Sequence, residues 1–256
     1  MNNQIYNKLS CFVGAVLASF GMVTNSRASI DFIGTNGLLA ASASFNVIAG
    51  NLQITLKNTS LADVTSPTGG GAILTSVFFD LAPTTTLTPV SAMLGLGSVV
   101  HFGPNGGGNV GGEWAFRSGL VGAPGNAGLS TSSTGLGLFG QANFNGPNLQ
   151  GPTAVDGLQY GITSAGDNVL TGNAAVTGGF ALIQNSVVFT LSGNPAFTSI
   201  NNYTISNVTF QYGTDLSEPH VTGILVNTEV PEPTTLSICG LLLSPLCARA
   251  FRKKQA

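Results

Sequence analysis

The chain has 256 residues, of which only 7% are charged, and it contains eight basic side chains, ten acidic side chains and three cysteines. So few cations exclude an extended basic surface for a nucleic-acid backbone, and three cysteines exclude a disulfide-dense scaffold. With 43% hydrophobic residues, the chain is apolar enough to bury a sizeable core.

The first 28 residues have the order of a secretory signal peptide. Lys8 supplies a positive start, residues 9–23 are apolar, and Ser26-Arg27-Ala28 is a small-x-small cleavage site. We therefore expect the chain to be exported and cut between Ala28 and Ser29. The alternative is an uncleaved anchor helix, which is disfavoured because the apolar run is short.

The basic residues and the cysteines are concentrated at the two ends of the chain. Six of the eight basic residues lie outside residues 29–229, which keep two basic and nine acidic side chains, a net charge of −7. All three cysteines also lie outside this range. Residues 29–229 must therefore fold by core burial alone, and we expect them to bind no nucleic acid and to contain no thiolate metal site.

Short runs with a period of two predict strands in residues 29–229. Residues 52–57 alternate apolar and polar side chains, and the turn Ala49-Gly50-Asn51 before them predicts a hairpin with residues 45–47. Further β-branched and aromatic runs are residues 73–81, 98–102, 186–191, 203–212 and 221–226. These runs predict an all-β fold, a single β-sandwich domain of jelly-roll-like type.

The middle of this domain, residues 103–151, is rich in glycine, with 15 glycines in 49 residues. It predicts either long loops or strands joined by broad turns. Residues 135–140 fit the glycine spacing of a dinucleotide loop, but residues 141–147 cannot form the helix that such a loop requires. We therefore expect no cofactor.

The only tryptophan gives two interpretations of one strand. Trp114 and Phe116 would share one face of a strand, with Glu113, Ala115 and Arg117 on the other. The two rings are candidate ligand contacts, as a platform on which a sugar stacks. We favour the alternative, in which they anchor the core beside an ion pair of Glu113 and Arg117.

One acidic cluster is a candidate metal site. Asp215, Glu218 and His220 lie within six residues and carry ligands suited to Ca²⁺ or to a transition metal. We favour a solvated turn that ends the strand before it, and we expect no metal. His101 is expected to be a core or edge residue. A glycosidase needs two facing carboxylates, and no spacing in the sequence nominates such a pair.

The last 27 residues have three parts in a fixed order. A motif of extended conformation comes first and consists of Val230, Pro231, Glu232 and Pro233. The apolar residues 234–251 follow, 18 residues that span about 27 Å as a helix, against a bilayer core of about 30 Å. A basic stop ends the chain and consists of Arg249, Arg252, Lys253 and Lys254. These cations predict that the C-terminal end of the chain stays in the cytoplasm. The alternative is an ordinary C-terminal core helix, which would not need four cations.

This tail resembles the PEP-CTERM sorting signal, in which the Pro-Glu-Pro motif, the apolar segment and the basic end have the same order and spacing. Residues 111–117, 148–168 and 206–220 also resemble sequence that recurs in secreted proteins of this family. The resemblance implies recognition by a membrane-embedded exosortase and cleavage near the motif. It also implies transient insertion in the inner membrane, surface localisation and a link to extracellular polysaccharide.

Three classes of function remain open from the sequence. The first, which we favour, is a non-enzymatic surface or matrix protein, exported as a membrane-tethered precursor and associated with biofilm. The second is a carbohydrate-binding module, and the third is a secreted hydrolase. Exposure of Trp114 and Phe116 would favour the second class, and a pocket with two carboxylates would favour the third.

Overall fold

The computed structural model describes residues 29–61, 64, 72–131, 137–139, 144, 146–148, 157–168 and 179–226. Among them, the regular structure is almost wholly β. The strands are β1 (Ile30–Asn36), β2 (Leu39–Ile48), β3 (Asn51–Asn58), β4 (Leu74–Ala82), β5 (Thr86–Leu94), β6 (Val99–His101), β7 (Ala115–Ser118), β8 (Ala127–Ser130), β9 (Ile162–Thr163), β10 (Leu182–Gln184), β11 (Ser186–Asn194), β12 (Thr204–Tyr212), β13 (His220–Thr222) and β14 (Ile224–Val226). Short 3-10 turns occur at Gly106–Gly108 and Ile200–Asn202.

One sheet has six strands in the order β14-β1-β2-β3-β11-β5. The predicted hairpin is confirmed, because β2 pairs antiparallel with β3 and Ile48 lies opposite Asn51. Along β3, buried and half-buried side chains alternate from Asn51 to Asn58, as the period of two predicts. The inward side chains of this hairpin, including Leu52, Ile54 and Leu56, are fully buried.

The other sheet has eight strands. Six follow the order β13-β12-β4-β9-β10-β6, while β8 pairs with β4 and β7 pairs with β8. Most of its pairs are antiparallel, but β9 and β10 run parallel. Strand β12 is irregular where it pairs with β4, with a shift of register between Ser206 and Thr209. This bulge directs the side chain of Asn207 toward Asp80.

The two sheets pack face to face around one main apolar cluster. Phe45 of β2 in the six-stranded sheet and Phe79 of β4 in the eight-stranded sheet pack edge to face, with ring centroids 5.3 Å apart. Both rings belong to a cluster that draws on strands of both sheets. The all-β, sandwich-like fold predicted from the sequence is therefore present, while its jelly-roll-like variant stays a prediction.

Besides the hairpin of β2 and β3, four of the five further predicted runs correspond to single strands, namely β4, β6, β11 and β12. The run at residues 221–226 is not one strand. It is divided at Gly223 into β13, which pairs with β12, and β14, which pairs with β1, so the chain changes sheet at this glycine. The sequence did not predict β1, β5, β8, β9 or β10 as individual strands, whereas β7 overlaps the strand considered around Trp114.

The predicted signal peptide, residues 1–28, and the predicted sorting tail, residues 230–256, lie outside the described residues. Within the part of the chain that the structure describes, no helix has the length and apolarity needed to cross a bilayer.

Candidate functional site

A surface cleft opens where the ends of the two sheets meet. Its cavity has a volume of about 560 Å³. The wall is formed by the end of β4 and its connection to β5, by the hairpin of β7 and β8, and by the end of β11. The lining residues are Asp80, Leu81, Thr84, Thr85, Thr86, Leu87, Ser118, Gly119, Asn126, Ala127 and Asn194. We call this cavity the Asp80 cleft.

Asp80, near the end of β4, is held in place by two hydrogen bonds. The backbone N–H of Asn126 donates to Oδ1 at 2.6 Å, and the side-chain Nδ2 of Asn207 donates to Oδ2 at 2.6 Å. Asn207 lies at the bulge of β12 with a φ of 50°, a left-handed conformation that asparagine tolerates better than most residues. The bulge therefore turns the Asn207 amide toward the carboxylate.

The rest of the lining is rich in hydroxyl and amide groups. Thr84 and Thr85 lie in the connection from β4 to β5, and Thr86 begins β5. The Thr85 hydroxyl donates to the carbonyl oxygen of Asn194 at 3.0 Å. This bond ties the connection to the end of β11, the strand that pairs with β5. Among the lining residues that the structure describes, Asp80 is the one ionisable side chain. The cleft can thus donate and accept hydrogen bonds but presents no cation.

The structure places Trp114 and Phe116 in the core. Trp114 is fully buried and Phe116 is 4% exposed, and both belong to the main cluster between the sheets. Ala115 lies in a separate apolar cluster, so the predicted alternation of faces is present. The two rings cannot form a surface platform for a sugar, which corrects the interpretation of this pair as a ligand contact.

Arg117 binds backbone oxygens of a neighbouring segment. Its guanidinium Nη1 donates to the carbonyl oxygens of Leu138 and Phe139, at 3.2 Å each. The cation therefore fastens residues 138–139 to β7, and its ion pair with Glu113 stays a prediction. Glu113 itself is buried, 4% exposed, immediately before Trp114.

Asp215, Glu218 and His220 do not converge on one point. Glu218 accepts hydrogen bonds from the backbone N–H groups of Thr214 and Asp215, and Asp215 accepts from the N–H and the hydroxyl of Ser217. These bonds lower the pKa of Asp215, the hydroxyl of Ser217 contributing most. His220 is exposed and begins β13. No group of three metal-ligating side chains occurs among the described residues.

The structure also describes His101 and Ser29, two further residues that the sequence analysis singled out. His101 lies on β6, at the edge of the eight-stranded sheet, where its Nε2 contacts Oε1 of Gln184 at 3.1 Å. Ser29 precedes β1 and its hydroxyl donates to Asp31 at 2.8 Å. Ala28, the sorting motif Val230 to Pro233 and the four cations of the basic stop lie outside the described residues.

The Asp80 cleft was missed from the sequence because its residues come from four separate segments with no common spacing. No protein-family model matches the chain, and neither a curated protein nor a solved structure gives a match. What the cleft can bind therefore has to be derived from its own geometry and charge.

Proposed function

We propose that this chain is an exported, non-enzymatic protein of the cell surface or extracellular matrix. An exosortase sorts it at the motif formed by Val230, Pro231, Glu232 and Pro233. In this proposal residues 1–28 are the signal peptide, and residues 234–251 hold the precursor in the inner membrane. The mature domain then remains outside the cell, associated with extracellular polysaccharide.

The observation that supports this proposal best is the pairing of the first strand with the last. Strands β1 and β14 are antiparallel neighbours, and Asp31 lies opposite Val226. Because antiparallel strands run in opposite directions, the start of β1 and the end of β14 lie at the same end of the six-stranded sheet. We call this end the terminal pole of the domain.

The terminal pole suits a domain that is attached to one membrane through both of its ends. Ser29, the first residue after the expected signal cleavage, directly precedes β1. From Val226 to Val230 the chain extends at most about 14 Å, at roughly 3.5 Å per residue. In this proposal the motif begins within that distance of the terminal pole, and the rest of the sandwich points away from the bilayer. An extended motif between a folded domain and a membrane segment is accessible to a membrane-embedded enzyme.

The test compares two single substitutions in the native host, followed by membrane fractionation and intact-mass measurement. Glu232→Ala changes the motif, and we expect the full-length precursor to accumulate in the membrane. Glu229→Ala, a matched control three residues upstream, removes the same charge outside the motif and should be processed like the wild type. Normal processing of Glu232→Ala would contradict the proposal.

Two further variants separate the roles of the tail. Replacing Arg252, Lys253 and Lys254 with neutral residues should weaken retention of the precursor in the membrane, because these cations oppose passage through the bilayer. Deleting residues 230–256 should give a folded domain that is secreted without a membrane-bound stage. If the deletion variant still fractionates with the inner membrane, another part of the chain holds it there.

A further inference from the structure

We propose that the Asp80 cleft binds a neutral saccharide, with Asp80 as a fixed hydrogen-bond acceptor for its hydroxyl groups. This inference goes beyond the sorting proposal and does not depend on it, because it concerns the folded domain alone. It also places a ligand site where the sequence did not, since the aromatic pair considered for that role is buried.

The charge of the cleft selects an uncharged ligand. Its described lining contains one carboxylate and no cation, so phosphate, sulfate or uronate groups would be repelled without compensation. A divalent cation is disfavoured as well. Calcium prefers six to eight oxygen ligands and usually several carboxylates, whereas Asp80 already accepts a hydrogen bond at each of its oxygens.

The surface chemistry of the cleft fits the two-sided character of a sugar ring. A pyranose carries hydroxyl groups around its edge and C–H groups on its faces. The cleft offers hydroxyl and amide groups for the edge, and apolar side chains for the face. The polar groups belong to Thr84, Thr85, Thr86, Ser118, Asn126 and Asn194. The apolar lining comes from Leu81, which is half-buried, and from the small exposed parts of Leu87 and Ala127. Its volume of about 560 Å³ lies within the range of small-molecule sites, roughly 300–1,000 Å³.

Asp80 is prepared for binding before any ligand arrives. A carboxylate has about four acceptor positions, and the bonds from Asn126 and Asn207 occupy two of them. The same two bonds fix the orientation of the group, so little side-chain freedom is lost when a ligand hydroxyl donates to it. The bulge of β12 maintains this arrangement, because it directs the Asn207 amide to Oδ2.

The inference can be tested by titration calorimetry of the purified full chain in a zwitterionic detergent, which carries no sugar headgroup. The probes are cellohexaose, maltohexaose and mannohexaose as neutral saccharides, and hexagalacturonate as an anionic one. We expect at least one neutral probe to bind and hexagalacturonate to give no heat of binding. The wild-type chain with its tail intact is suitable, because the cleft lies on the folded domain.

Two variants locate the binding. Thr86→Trp fills the cleft, and we expect binding to weaken by about tenfold or more, a change of about 1.4 kcal/mol. Thr88→Trp is the matched control, since Thr88 is exposed on the same strand two residues away but does not line the cleft. It should retain the affinity of the wild type. Asp80→Asn keeps the shape of the side chain but removes its charge, and should also weaken binding about tenfold.

The outcomes are decisive in both directions. Neutral binding that is lost in Thr86→Trp and Asp80→Asn but retained in Thr88→Trp supports the inference. Absence of binding by all three neutral probes overturns it, as does equal binding by the wild type and Thr86→Trp. Stronger binding of hexagalacturonate than of the neutral probes would also overturn it. Far-ultraviolet dichroism verifies that each variant is folded, and none of these results bears on processing at Glu232.

Discussion

The indole of Trp114 packs edge to face on the ring of Phe189, with centroids 4.9 Å apart and an interplanar angle of 63°. Phe189 belongs to β11 of the six-stranded sheet, while Trp114 directly precedes β7 of the eight-stranded sheet. The pair therefore joins the two sheets at the centre of the core. Aromatic pairs of this geometry add about 0.5–1.5 kcal/mol to the contribution of their buried area.

Truncation of Trp114 should be among the most destabilising single changes in the domain. Trp114→Ala removes a fully buried ring, and we expect a loss of about 3–5 kcal/mol in the free energy of unfolding. Trp114→Phe should cost less, about 1–2 kcal/mol, since the indole N–H that it removes has no hydrogen-bond partner among the described residues. Urea unfolding of residues 29–229, followed by circular dichroism, measures both. Equal stability of Trp114→Ala and the wild type would contradict the core assignment.

The sequence predicted the strands that carry their own periodicity. Residues 52–57 alternate strictly, and the structure places them in β3, with one face in the core. The division of the run at residues 221–226 into two strands could not be predicted. Each of the two strands has only three residues, which are too few to define a period. The physical cause is Gly223, where a Cβ atom would lie 2.9 Å from Cγ1 of Val208. Only glycine allows the chain to pass that close while it moves from one sheet to the other.

The Asp80 cleft was inaccessible to sequence reasoning for a different reason. Its wall brings together Asp80, Ser118, Asn126 and Asn194, which are widely separated in the chain, and none of them belongs to a motif. Trp114 is the opposite case, a residue that the sequence alone makes conspicuous. The sequence allowed a functional and a structural interpretation of this tryptophan and favoured the structural one, which its burial and its packing against Phe189 support.

Substitutions at the two residues of the turn between β2 and β3 should have opposite effects on the stability of the domain. Ala49 and Gly50 have φ values of 49° and 78°, so both adopt left-handed conformations. Ala49→Asn should stabilise the domain by about 0.5–1 kcal/mol, because asparagine tolerates this region. Gly50→Ala should destabilise it by about 1–2 kcal/mol, although its Cβ would meet nothing closer than 3.7 Å. Urea midpoints that shift in the same direction for both variants would contradict the left-handed conformation of both turn residues.

Substitutions at Asn207 separate the effect of its side-chain hydrogen bond from the effect of its positive φ. Asn207→Gly removes the bond to Asp80 but keeps a residue that accepts a positive φ. Asn207→Ala removes the same bond and adds strain, so it should be about 1 kcal/mol less stable than the glycine variant. Ser206→Ala, at the exposed neighbouring position, should change stability by less than about 0.5 kcal/mol. An alanine variant as stable as the glycine variant would mean that the backbone at this position is relaxed.

The turn at Asp215 should respond to pH through Ser217. The pKa of Asp215 is lowered from its ordinary value, mainly by the hydroxyl of Ser217, so the folded chain favours the carboxylate. The associated stability is present above the ordinary pKa and is lost as the pH falls through the lowered value. Ser217→Ala should raise the pKa of Asp215, while Ser217→Thr should keep it low. A carboxyl-carbon titration by nuclear magnetic resonance distinguishes them, and identical titrations in all three proteins would exclude this cause.

Ionisation of the buried Tyr212 phenol should make the folded domain less stable at high pH. It is fully buried at the end of β12, its hydroxyl lies 3.3 Å from that of Ser60, and burial raises its pKa from 10.0 to about 12. Because the folded-state pKa is the higher one, the folded chain favours the neutral phenol. The stability linked to this proton is therefore complete below pH 10.0 and decreases as the pH rises toward about 12.

The matched variant for this group is Tyr212→Phe, which keeps the buried ring and removes the ionisable hydroxyl. Near neutral pH it loses the hydroxyl's contact with Ser60 and its hydrogen bond with the backbone of Ala40, so it should be less stable than the wild type by only about 1–2 kcal/mol. Above pH 10.0 the wild type should lose about 2 kcal/mol more than the variant by the time the pH reaches the folded-state pKa. Urea midpoints measured across this interval test the difference. Parallel pH profiles for the two proteins would show that the Tyr212 phenol does not ionise during alkaline unfolding.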